Sequence, residues 1–107
     1  MKTYKLNHTC WEWMPLVENC EIQMAEKGKS EEEITQIIDL LNNPEPYSKT
    51  KSLYEMTDET AQWMHKELTW RIGWYEDRIL YDDLDKQEGR QVMSQLKTLK
   101  KQLESQL

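Results

Sequence analysis

Residues 58–107 contain no proline, and their apolar side chains recur in steps of three and four. That is the period of an α-helix, so nearly half of the chain is committed to helix before anything else is read. One stripe is Ala61, Met64, Leu68, Ile72, Tyr75 and Ile79. A second, on a neighbouring face, is Trp63, Trp70, Trp74, Tyr81 and Leu84. A helix that is apolar on two faces either lies at the centre of a bundle or binds something with its second face. Residues 85–90 are then wholly without apolar side chains, and Val92, Leu96, Leu99 and Leu103 resume near heptad spacing.

Two architectures fit this segment. A single helix of about 50 residues would be about 75 Å long, which 107 residues cannot cover, so it would need a coiled-coil dimer. The favoured alternative is a helical hairpin that turns near residues 85–89, where Gly89 falls. Charge agrees with the hairpin. Residues 76–88 carry Glu76, Asp77, Asp82, Asp83, Asp85 and Glu88 against Arg78 and Lys86, whereas residues 90–107 carry Arg90, Lys97, Lys100 and Lys101 against Glu104. Folding back brings opposite signs together, although each exposed pair contributes only about 0–1 kcal/mol.

The N-terminal half reads as two shorter helices. Pro15 suits a first helical turn, and Val17, Cys20 and Met24 share a face up to a stop at Gly28, which predicts a helix over 15–27. Ser30 with Glu33 forms a capping box ahead of Ile34, Ile37, Ile38 and Leu41, which predicts a helix over 31–41. Residues 42–56 hold Pro44 and Pro46 and read as a linker with at most one helical turn at 52–56. Residues 1–14 read as an irregular arm. The alternation Lys2-Thr3-Tyr4-Lys5-Leu6 would suit a strand, but no partner strand is apparent. The expected fold is all-α, a single domain over 1–107: a bundle of about four helices with a C-terminal helical hairpin.

Composition narrows function by exclusion. The net charge is −6, which disfavours direct nucleic-acid binding through phosphate neutralisation. No apolar run approaches the about 20 residues of a membrane span, and the N-terminus lacks a secretory signal pattern. Cys10 and Cys20 are therefore expected as reduced cytoplasmic thiols, Cys20 buried on its helix stripe and Cys10 with His8 near the surface of the arm. His8, Cys10, Cys20 and His65 are metal-ligand types, but their spacing lacks the close pairs of structural zinc sites. No phosphate-binding glycine loop is present, and His65 has no sequence-placed nucleophile beside it. The expectation is no enzyme activity, no cofactor and no metal.

What stands out is aromatic. There are 5 Trp and no Phe, with apolar residues only 37% of the chain. A core that thin leaves some tryptophan to spare, and Trp and Arg are the residue types most enriched at binding hot spots. Trp63, Trp70 and Trp74 share a helix line, and Arg78 is one turn beyond Trp74. Trp11 and Trp13 are two apart, so at most one can point inward from an extended arm. Asp77, Asp82, Asp83 and Asp85 could form a carboxylate row that imitates phosphates. The expected partner-binding residues are Trp63, Trp70, Trp74, Arg78, Tyr81, Asp82, Asp83 and Asp85.

In composition the chain is similar to small acidic phage and mobile-element inhibitors of host enzymes, anti-CRISPR and anti-restriction proteins included. That similarity implies a protein partner, such as a nucleic-acid-processing enzyme. The alternative reading is a homodimeric coiled-coil module joined through the Leu96–Leu99–Leu103 seam.

Overall fold

The computed structural model describes residues 1–8, 10–80 and 86–107. In chain order the elements are β1 (Lys2–Asn7), α1 (Trp13–Glu26), α2 (Glu31–Asn42), β2 (Glu45–Pro46), β3 (Lys51–Met56), α3 (Asp58–Leu80) and α4 (Lys86–Gln106). The protein is mostly helical, with a small antiparallel sheet of strand order β1-β3-β2.

The sheet corrects the all-α expectation. The region read as an arm contains β1, and the region read as a linker contains β2 and β3. β1 and β3 pair in register, Tyr4 opposite Tyr54 and Leu6 opposite Ser52. Tyr4, Leu6, Ser52, Tyr54 and Met56 all point to the buried face, the period-two alternation of a half-covered sheet. β2 is two residues long and ends on Pro46, whose missing N–H confines it to an edge.

Local signals set the helix ends. Ser30 accepts from the Glu33 N–H at 3.2 Å, and Thr57 accepts from the Thr60 N–H at 3.1 Å. After α1, Gly28 takes φ +81°, with its N–H on the Ala25 carbonyl and the Lys29 N–H on the Met24 carbonyl, both at 3.1 Å. This is the paired closure that glycine permits just past a helix.

α3 and α4 pack antiparallel. His65 reaches Glu104 at 2.8 Å while Glu76, further along α3, reaches Lys97 at 3.7 Å, earlier on α4. The helical hairpin therefore holds, but Gly89, expected in the turn, lies inside α4; residues 81–85 lie outside the described residues. Ala61, Met64, Leu68 and Ile72 of α3 meet Val92, Leu96, Leu99 and Leu103 of α4 in one core with the sheet and α1. α2 covers α1 and β3 with Leu41 fully buried and Ile34, Ile37 and Ile38 half-buried. No described helix is long and apolar enough to cross a membrane.

Candidate binding face

The first stripe of α3 is core from Ala61 to Ile72, with Tyr75 and Ile79 only partly buried, and the second divides along the helix. Trp63 is half-buried and lines a narrow cleft with Cys20, Gln23 and Met24 of α1. Trp70 is 62% exposed and Trp74 36%. The two exposed rings stand one turn apart on one helix face. The Arg78 guanidinium sits over the Trp74 ring, 5.0 Å from its centroid, and Tyr75 meets Trp74 edge-on at 5.0 Å. Both arrangements hold the indole in place by its electrostatic quadrupole.

A polar junction lies beside these rings. Glu12, just ahead of α1, accepts from Arg71 Nη1 at 2.6 Å and from the Tyr75 hydroxyl. The Arg71 and Glu12 side chains are only 13% and 16% exposed. Arg71 Nε faces Glu67 at 3.6 Å, an ion-pair distance without a hydrogen bond, and is the buried side-chain donor without a hydrogen-bond partner among the described residues. Burial and the Glu12 carboxylate raise the Tyr75 phenol well above its usual range, so Tyr75 stays a donor at every physiological pH.

Trp11 and Met14 lie within two residues of Glu12 in sequence. Trp11 is 74% exposed and Met14 69%. Trp11 itself lies against α4: its N–H is on Gln95 Oε1 at 3.1 Å, and it lines a pocket with Gln87, Glu88, Gln91 and Val92. Met14 was missed in the sequence. No local signal marks it: it stands three residues before Val17, a spacing that continues the Val17–Cys20–Met24 stripe, yet it is exposed because it lies in the first turn of α1. Trp13, by contrast, turns inward, its ring 4.7 Å from Tyr54 and its indole N–H on the Leu41 carbonyl at 3.2 Å.

Tyr81, Asp82, Asp83 and Asp85 lie outside the described residues, and of the proposed carboxylate row only Asp77 is described, exposed on α3. Cys10 is buried, not near the surface as expected, because the strand before it carries the chain into the core. Both cysteines are free. Burial pushes the Cys20 thiol up to about 11 and raises Cys10 as well, the reverse of an activated nucleophile. His8 pairs its Nδ1 with the Ser52 hydroxyl at 3.0 Å, and His65 is held by Glu104. Among the described residues no group of three or more His, Cys, Asp or Glu side chains converges on a metal-sized site.

Compared with known families, with curated proteins and with solved structures, the chain has no match in any of the three.

Proposed function

We propose that the protein acts by binding another protein through the face built on Trp70, Trp74 and Arg78. The observation that carries this reading is the exposure of two tryptophans one helical turn apart in a chain whose core is otherwise filled. Isolated apolar residues on a surface are ordinary, but adjacent exposed tryptophans with an arginine over one ring are the composition of a hot spot. Leu96, Leu99 and Leu103 are each at most 1% exposed, so the seam suggested for a coiled-coil dimer is occupied by the protein's own core. The net charge of −6 favours a partner with a basic surface. An enzyme that handles nucleic acid fits that description, and inhibition of such an enzyme by a phage or mobile-element protein is the form of this function we favour.

The test is affinity capture from the native host by wild type and by a Trp70→Ala, Trp74→Ala variant, with mass spectrometry of both. A partner retained by wild type and lost by the variant, with the variant's circular dichroism unchanged, supports the reading. Truncating a hot-spot residue costs about 2 kcal/mol or more of binding. Equal capture by both proteins would remove this face from consideration.

A further inference from the structure

On the side of α4 away from β1, a groove of about 660 Å³ runs between α3 and α4. Its floor includes Ile72 and Met93, and its walls carry Arg90, Lys97, Lys100 and Lys101 against Glu76 and Glu104. Four cations against two carboxylates make it locally basic in a chain of net charge −6. Lys97 pairs with Glu76 at 3.7 Å and Lys100 with Glu104 at 3.9 Å, Lys101 acts on Glu104 from further off, and Arg90 has no ion-pair partner among the described residues.

The same chain displays the complement of this groove. α1 contains no Lys or Arg, and its outer surface carries Glu18, Glu21 and Glu26 around Ile22, which is 57% exposed. Glu18, Ile22 and Glu26 are spaced by four residues, so the isoleucine stands between carboxylates on one face. Residues 18–26 span about 12 Å of helix, and the basic wall of α4 over residues 90–101 spans about 16 Å. An apolar side chain flanked by carboxylates matches an apolar floor flanked by cations, which is the arrangement of a helix laid in a groove. A nucleic acid strand would find four cations here too, but the groove offers it two carboxylates and no aromatic ring to stack on.

We infer that the outer face of α1 from one copy of this protein docks into the α3–α4 groove of a second copy. The contact joins two different surfaces, so it is heterologous, and it closes into a ring or a reciprocal pair according to the rotation between copies. It uses none of the residues of the tryptophan face and stands independently of the function proposed above.

Sedimentation equilibrium from about 10 µM to about 1 mM, the range of weak contacts, reads the association directly. Wild type should gain mass with concentration, and less so in high salt. Two charge-reversal variants, Lys97→Glu with Lys101→Glu and Glu18→Lys with Glu21→Lys, should each weaken self-association at least tenfold while keeping the helical spectrum. Mixed together, they should associate again, because the reversed helix of one matches the reversed groove of the other. Trp70→Ala should leave the wild-type behaviour unchanged. A wild type that stays monomeric throughout overturns the inference. So does association indifferent to both reversals, or a mixture that fails to recover. Association seen only on adding duplex DNA, and lost in the lysine variant, would reassign the groove to nucleic acid.

Discussion

The side-chain amide of Gln106 hydrogen-bonds Lys5 at both of its backbone groups. Its Oε1 accepts from the Lys5 N–H at 2.7 Å, and its Nε2 donates to the Lys5 carbonyl at 2.9 Å. One helical turn earlier, Gln102 Oε1 accepts from the Asn7 N–H at 2.9 Å and its Nε2 donates to Asn7 Oδ1 at 3.0 Å. Gln95 takes the Trp11 N–H at 3.1 Å. A row of glutamines on α4 thus supplies β1 with the peptide-like partners that another strand would have given. Open edge strands invite pairing with other chains, and covering the edge with a helix is one way to prevent it.

Replacing Gln102 and Gln106 by Leu should therefore release the edge. Each orphaned backbone group costs about 1–3 kcal/mol if it stays buried, so the amides of Lys5 and Asn7 should open to solvent instead. Hydrogen exchange at these two amides should accelerate by at least about tenfold, the equivalent of about 1.4 kcal/mol of local opening. Light scattering should show slow aggregation in the double variant. Unchanged exchange at Lys5 would mean that the side-chain amides do not guard the edge.

Arg71 should be the most sensitive charged position. Arg71→Met leaves the partly buried Glu12 carboxylate with Tyr75 alone and should cost up to about 3 kcal/mol, the low end for breaking one side of a buried pair. Arg71→Met combined with Glu12→Leu should recover part of that loss, because the stranded charge is gone. Chemical denaturation of the two single variants and the double variant measures the coupling directly.

The tryptophans should separate by denaturation. Trp70→Ala removes a ring that is mostly in water, so it should change stability by no more than about 0.5 kcal/mol. Trp13→Ala removes the stack on Tyr54 and the bond to Leu41 and should cost about 3–5 kcal/mol. A Trp70 variant that melts like the Trp13 variant would make Trp70 a structural residue and remove the centre of the proposed binding face.

Acid should weaken the fold through two exposed carboxylates. The hydrogen bond from His65, helped by Lys100 and Lys101, holds Glu104 below the usual carboxylate range. Lys29 and Lys27, in that order, do the same for Glu59, tying the end of α1 to the start of α3. A carboxylate lowered by folding stabilises the native state above its unfolded value, and that contribution disappears as pH falls through the folded value. The melting temperature should thus fall between about pH 5 and about pH 3, and Glu59→Gln with Glu104→Gln should flatten the slope. Added salt should flatten it too, since both groups are exposed.

Much of the architecture was legible because it is local. Four helices appear close to where three-and-four spacing, Ser30 and Gly28 place them, since helix hydrogen bonds and caps close within a few residues, although the last begins at Lys86 and not at residue 90. The Ala61–Met64–Leu68–Ile72 and Val92–Leu96–Leu99–Leu103 stripes pack as their periods require. Trp70, Trp74 and Arg78 shared a face in the sequence for the same reason.

The sheet was not legible, although its alternation was visible. Lys2-Thr3-Tyr4-Lys5-Leu6 lacked a partner because that partner, Lys51–Met56, lies across two helices, and six residues alone cannot announce a register. Which tryptophan meets water was likewise decided by tertiary packing. Trp13 and Trp70 are equally apolar as sequence, and only the placement of β3 under the first, with none of the described residues covering the second, tells them apart. The junction of Glu12 with Arg71 and Tyr75 joins residues about sixty positions apart. No local rule pairs them; they meet because β1, docked between β3 and the glutamines of α4, delivers the chain to α3 at that point.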